Sequence, residues 1–158
     1  MSMFESDYSW QLQFLPKVKQ IVGPLLLGQA PFDLDRAECT DLLVLRAKDM
    51  RIGCRVRRSG YYERYPNEFT IRSRRDTGAS TELEKIVNGW GDWLFYGHAP
   101  DLLHWLLVDL HAFRAQLIRN KDELKRGHKT NGDGTYFAWF DVGSFRPDPA
   151  ICIAQSVL

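Results

Sequence analysis

Cysteine is scarce in this chain of 158 residues. The three present, Cys39, Cys54 and Cys152, form no CxxC and no zinc-type spacing. Odd in number and far apart, they support neither a disulfide framework nor a metal knuckle, and read as small hydrophobes in a reducing compartment. Also missing is any apolar run near the roughly 20 residues that a membrane-spanning helix needs. The opening MSMFESDYSW carries acids where a secretory signal would carry Lys or Arg, and no apolar stretch follows at once. A cytoplasmic protein with no membrane partner is expected. No G-x-G-x-x-G, G-x-x-x-x-G-K-[ST] or G-x-S-x-G occurs, so nucleotide-cofactor and serine-hydrolase chemistry have no anchor. The four histidines, His98, His104, His111 and His128, make neither HxH nor HExxH and read as packing or surface residues.

What is present is ordinary in bulk and uneven in distribution. Hydrophobic residues make up 44%, charged residues 26% and aromatics 13%. This suits a folded globular chain rather than a disordered one. With no repeat, low-complexity tract or linker, residues 1–158 read as a single domain. The formal charge of +1 conceals a basic centre. Residues 1–45 carry three bases against six acids, residues 46–75 ten bases against three acids, and residues 76–158 eight bases against eleven acids. Partners respond to such local fields and not to the total charge.

Hydrophobic periodicity supplies the elements. Trp10, Phe14, Val18 and Ile21 recur at helical spacing, which predicts an amphipathic helix over 9–22. Pro16 kinks it or begins its second half, and Gly23-Pro24 stops it. DLLVL (41–45) and RIGCRVRR (51–58) read as strands joined in a hairpin by RAKDM. SGYYERYPNE reads as a loop, and EFTIRSR (68–74) as the next strand. Thr81 followed by Glu84 is a capping box, so a helix begins there. Gly89-Trp90-Gly91 ends it, with Trp90 and Trp93 as core aromatics. DWLFYGH (92–98) and LHWLLVDL (103–110) are strand-like. A helix over 111–124, a loop over 127–134 and a strand over 135–142 complete the order. The expected class is α/β or α+β, with one mixed sheet flanked by helices.

On the predicted strands, Arg55 and Arg57 share a face by the two-residue period, and so do Arg72 and Arg74. Were these strands neighbours, four guanidiniums would line one surface and call for an anion. The loop between them adds Tyr61, Tyr62, Arg64 and Tyr65. Rings that stack on unpaired bases, interleaved with cations that hold a backbone, point to nucleic acid. Arg58 and Arg75 extend the basic set.

The succession Asp41 at the start of a strand, I-G-C-R-V-R at 52–57, the helix TELEKI, DWLFYGH and LLVDLHAFR resembles the restriction-endonuclease-like PD-(D/E)XK nuclease superfamily over roughly residues 10–118. That resemblance implies a restriction-endonuclease-like fold and metal-dependent phosphodiester cleavage. Asp41 matches the family's Asp. Arg55 and Arg57 stand where the family carries Glu or Gln and Lys, and a guanidinium neither ligates a cation nor gives up its proton readily. On this resemblance Asp41, Glu82 and Glu84 would hold Mg²⁺, with Glu68 or Glu38 as other sources of the missing acid. Arg57 or Lys85 would stabilise phosphate charge. The expected partner is nucleic acid, DNA favoured. The R-V-R-R, F-T-I-R and G-W-G-D-W blocks are also similar to proteins of phage and prophage genomes. That favours, as the competing reading, a non-catalytic phage-encoded interaction protein or inhibitor acting on a nucleoprotein partner.

Overall fold

The computed structural model describes residues 3–29, 42–44, 50–76 and 78–156. The chain divides into two compact units, Met1–Met50 and Arg51–Leu158. The class is mixed α/β, and among the described residues no helix is long and apolar enough to cross a membrane.

In the first unit the predicted helix is two helices, α1 (Met3–Leu12) and α2 (Leu15–Val22). Pro16 sits in the first turn of α2, where its missing N–H costs nothing. Across the break the Trp10 and Phe14 rings meet edge to face at 4.9 Å. A 3-10 turn (Gly23–Leu26) leads from α2 into β1 (Leu27–Gln29), which pairs antiparallel with β2 (Leu42–Val44). Among the described residues the hairpin expected between residues 41–45 and 51–58 is therefore not formed. β2 takes β1 as its partner, and β3 (Ile52–Arg57) runs parallel to β5 (Trp93–His98).

In the second unit the strands divide between two sheets rather than forming one. The first has the order β3-β5-β6-β9, with β6 at Trp105–Asp109 and β9 at Cys152–Gln155. The second, antiparallel throughout, has the order β4-β8-β7, with β4 at Glu68–Arg75, β8 at Thr135–Asp141 and β7 at Arg126–Thr130. β7 corrects the predicted loop over 127–130, while 131–134 form the expected loop before β8. Its turn-forming composition is overridden because Trp139, opposite Gly127, lays its indole over the glycine, and a Cβ built there would lie 2.6 Å from the ring nitrogen.

Three helices complete this unit. α3 (Tyr61–Arg64) is one turn inside the predicted loop. α4 (Glu82–Val87) starts at the capping box: the Thr81 hydroxyl accepts from Glu84 N–H, and the Glu84 carboxylate accepts from Thr81 N–H. α5 (Leu110–Arg119) is capped by Asp109, whose carboxylate accepts from the N–H groups of His111 and Ala112. It ends five residues before the expected 124, where Asn120 leaves helical geometry and its side chain turns back to donate to Gln116.

The core gathers Phe69 and Ile71 of β4, Phe140 of β8, Leu94 and Tyr96 of β5, Val108 of β6, Ile86 of α4 and Phe113 of α5. Phe69, Phe113 and Phe140 contact one another with ring centroids 5.1–5.7 Å apart. Trp93 is buried as expected, whereas Trp90 lies at the surface with its ring beside Gly53.

Candidate functional site

The predicted basic strands belong to different sheets, and they bring only part of the arginine set together. Arg55 and Arg57 share one face of β3. Their register partners on β5 are Tyr96 and His98, so these four side chains stand in two adjacent rows on that face. Both guanidiniums reach Phe137 of β8, with Cζ 4.7 Å from its centroid for Arg55 and 5.2 Å for Arg57. Arg72 lies opposite Phe137, on the same side of the second sheet. Arg74 does not follow. The register slips by one residue between Arg72 and Arg74, so Arg74 pairs with Tyr136 and points to the other face. There it lies over the Tyr136 ring at 5.1 Å and 4.0 Å from the Asp76 carboxylate. The four-guanidinium surface is thus corrected by a bulge that the two-residue period does not contain.

Glu82, at the start of α4, sits among the converging arginines. Its carboxylate takes a 3.1 Å ion pair from Arg55 and a 3.2 Å hydrogen bond from the Arg72 backbone N–H. The Arg55 side chain is only 12% exposed, so this carboxylate neutralises a desolvated charge. Glu84 is committed to the capping box. Each acid thus has a partner within the fold, Glu82 in Arg55 and the Arg72 amide and Glu84 in the helix cap. Lys85 is exposed on α4. Asp41 and Glu38 lie outside the described residues, as does the side chain of Arg75. Glu68, the other acid considered, accepts a 2.6 Å hydrogen bond from Lys129 Nζ. Among the described residues no group of three or more His, Cys, Asp or Glu is placed to share a metal ion.

Arg57 differs from Arg55. No carboxylate of the described residues pairs with it, and its Nε is sealed from water without a hydrogen-bond partner. Burial pulls its guanidinium below the ordinary arginine range, against the opposing influence of Tyr96 and with the added repulsion of Arg55. Its cation lies 3.8 Å over the Tyr61 ring. From there a row of rings and charges continues along α3. Tyr61 and Tyr65 lie 5.4 Å apart, and Lys129 Nζ sits 3.5 Å over Tyr65 and 5.5 Å from Trp139. Arg58 and Arg64 are exposed beside this row.

Tyr62, on the next face of α3, turns toward two histidines. It stacks flat on His104 at 3.6 Å, with the planes 5° apart, and meets His98 edge-on at 5.2 Å. His98 ends β5 and His104 precedes β6, so the turn between those strands brings both imidazoles to one place. They line a pocket of about 440 Å³ together with Tyr62, Tyr96 and Trp105. Asn67, Glu68, Asp141 and Gln155 contribute polar groups to the same pocket. The Tyr96 hydroxyl shares a 3.3 Å hydrogen bond with Thr70. Burial, then the charges of Arg57 and His104, lower the His98 pKa to about 4.

Sequence reasoning placed Arg57, Tyr61, Tyr62 and Arg64 in the basic region but missed Lys129, His98 and His104 as parts of a site. The Tyr61 and Tyr65 spacing of four is a helical signal inside a segment read as a loop. His98 and His104 flank a Pro-containing turn between two strand-like runs, which is how two lone histidines become neighbours. No protein-family model, curated protein or solved structure matches the chain.

Proposed function

We propose that this protein binds single-stranded nucleic acid along the row formed by Arg57, Tyr61, Tyr65 and Lys129. The observation that carries the reading is the alternation itself. Two cations, Arg57 without a carboxylate partner and Lys129 paired with Glu68, bracket two tyrosines with gaps of 3.5–5.4 Å, each residue only partly buried. Sequence-tolerant strand binding needs rings on which bases stack and cations that follow the backbone. Arg57 adds a specific reason for an anion. A largely desolvated guanidinium with no carboxylate partner is costly, and a phosphate supplies forked acceptors for it. The reading concerns binding alone; Glu82 and Glu84, the acids that the resemblance offers to Mg²⁺, accept hydrogen bonds from Arg55, the Arg72 amide and the helix cap.

The test is fluorescence anisotropy with labelled single-stranded DNA and RNA oligomers over a range of salt concentrations. Three or four engaged phosphates give a log–log slope of about −2 to −3 on single strands. Tyr61→Ala and Lys129→Ala should each weaken binding, the tyrosine by roughly 5- to 100-fold if a base stacks on it. Absent binding, or binding indifferent both to salt and to these substitutions, refutes the reading. A parallel incubation with Mg²⁺ beside an Asp41→Ala control checks the superfamily's chemistry. Cleavage by the parent chain that the substitution abolishes would restore catalysis to it.

A further inference from the structure

The pocket beside Tyr62 is built differently from the charged row. Its volume of about 440 Å³ lies low in the range of about 300–1,000 Å³ usual for small-ligand sites. Tyr62 and His104 supply flat walls. Asn67, Gln155 and Asp141 line the pocket, and their side chains receive no hydrogen bond or ion pair from another described residue. His98 and His104 each have Nδ1 sealed from water and unpartnered. A buried bare acceptor is cheaper than a buried bare donor, so the neutral His98 ring carries its proton on Nε2. Arg57 is the register partner of His98, which lines the pocket.

We propose that this pocket receives one unpaired nucleobase of a strand lying along the Arg57–Lys129 row, stacked on its aromatic wall and held at its edge by Asn67, Gln155 and Asp141. The inference rests on the nucleic-acid reading above. Amide and carboxylate groups around a flat slot match the mixed donors and acceptors of a base edge, the usual mode of single-strand base recognition. His98 serves here as a hydrogen-bonding wall and not as a proton shuttle. With a pKa of about 4, it is protonated in roughly one molecule in a thousand at pH 7, far from the match that general acid–base work requires.

The experiment follows the Cε1–H resonances of His98 and His104 by NMR while AMP, CMP, GMP and UMP are titrated in turn. Ribose 5-phosphate is the control, carrying sugar and phosphate but no base. At least one mononucleotide should shift both resonances at millimolar concentration. Ribose 5-phosphate should leave them in place, and Gln155→Ala should weaken the effective mononucleotide about fivefold or more. If no mononucleotide moves them, or ribose 5-phosphate moves them equally, the pocket is not a base site. Salt-dependent oligomer binding without mononucleotide shifts overturns this inference alone, whereas failure of both overturns the nucleic-acid reading as well.

Discussion

Acidification probes His98 directly. Its imidazole is 7% exposed and faces Tyr62, Tyr96, Arg57, His104 and the charge of Glu63. Its pKa falls from an ordinary 6.5 to about 4, mainly because burial disfavours the charged ring. Between those values the unfolded chain binds a proton that the native protein refuses. Stability from this residue is therefore complete above pH 6.5 and lost as the pH falls toward 4. At about 1.36 kcal/mol per pKa unit, the loss is about 1.5 kcal/mol at pH 5.5 and about 2.5 kcal/mol at pH 4.5. Urea unfolding of the parent and of His98→Gln across pH 8 to 4.5 isolates the term, because carboxylates titrating in the same range affect both proteins alike. The parent should lose these amounts in excess of the variant. Parallel pH profiles, or an NMR titration of His98 near 6.5, would show that the ring is not held neutral by its surroundings.

Three other substitutions test the packing that positions the site. Glu82→Ala leaves the Arg55 charge and the Arg72 amide without their shared acceptor and should cost about 3 kcal/mol in urea unfolding. A loss below about 1 kcal/mol would mean that solvent replaces the carboxylate. Thr81→Ala removes the hydroxyl half of the capping box and should cost about 1 kcal/mol, most of it recovered by Thr81→Ser. Phe69→Ala empties a fully buried position between three other phenylalanines and should cost about 4 kcal/mol, read as a lowered denaturation midpoint at unchanged slope.

The parts legible in the sequence were those decided by local chemistry. The Thr81–Glu84 cap is set by residues three apart, and β4, β5, β6 and β8 were announced by apolar runs or alternation. Pairing was a different matter. The run Ile52–Arg57 finds its partner at Trp93–His98 instead of in the strand just before it, and no short-range pattern encodes that choice. Face assignment failed at Arg74 because one slipped residue reverses every later side chain, and the slip has no composition of its own. β7 was hidden because its glycine is tolerable only under the Trp139 ring, a neighbour in space and not in sequence. The candidate site suffered the same limit. Arg57 and Tyr61 lie close along the chain, whereas Lys129 joins them across a sheet, and His98 and His104 acquire meaning only as a pair.

The strands of the second unit alternate between its two sheets along the chain: β3 to the first, β4 to the second, β5 and β6 to the first, β7 and β8 to the second, and β9 back to the first. A nick in the turn between β5 and β6 would leave β4 on one fragment with its ladder partner β8 on the other, and would divide the first sheet as well. Neither layer can be excised with its ladders intact. The tyrosine row and the histidine pocket, which draw on both layers, should accordingly appear and vanish in a single cooperative step.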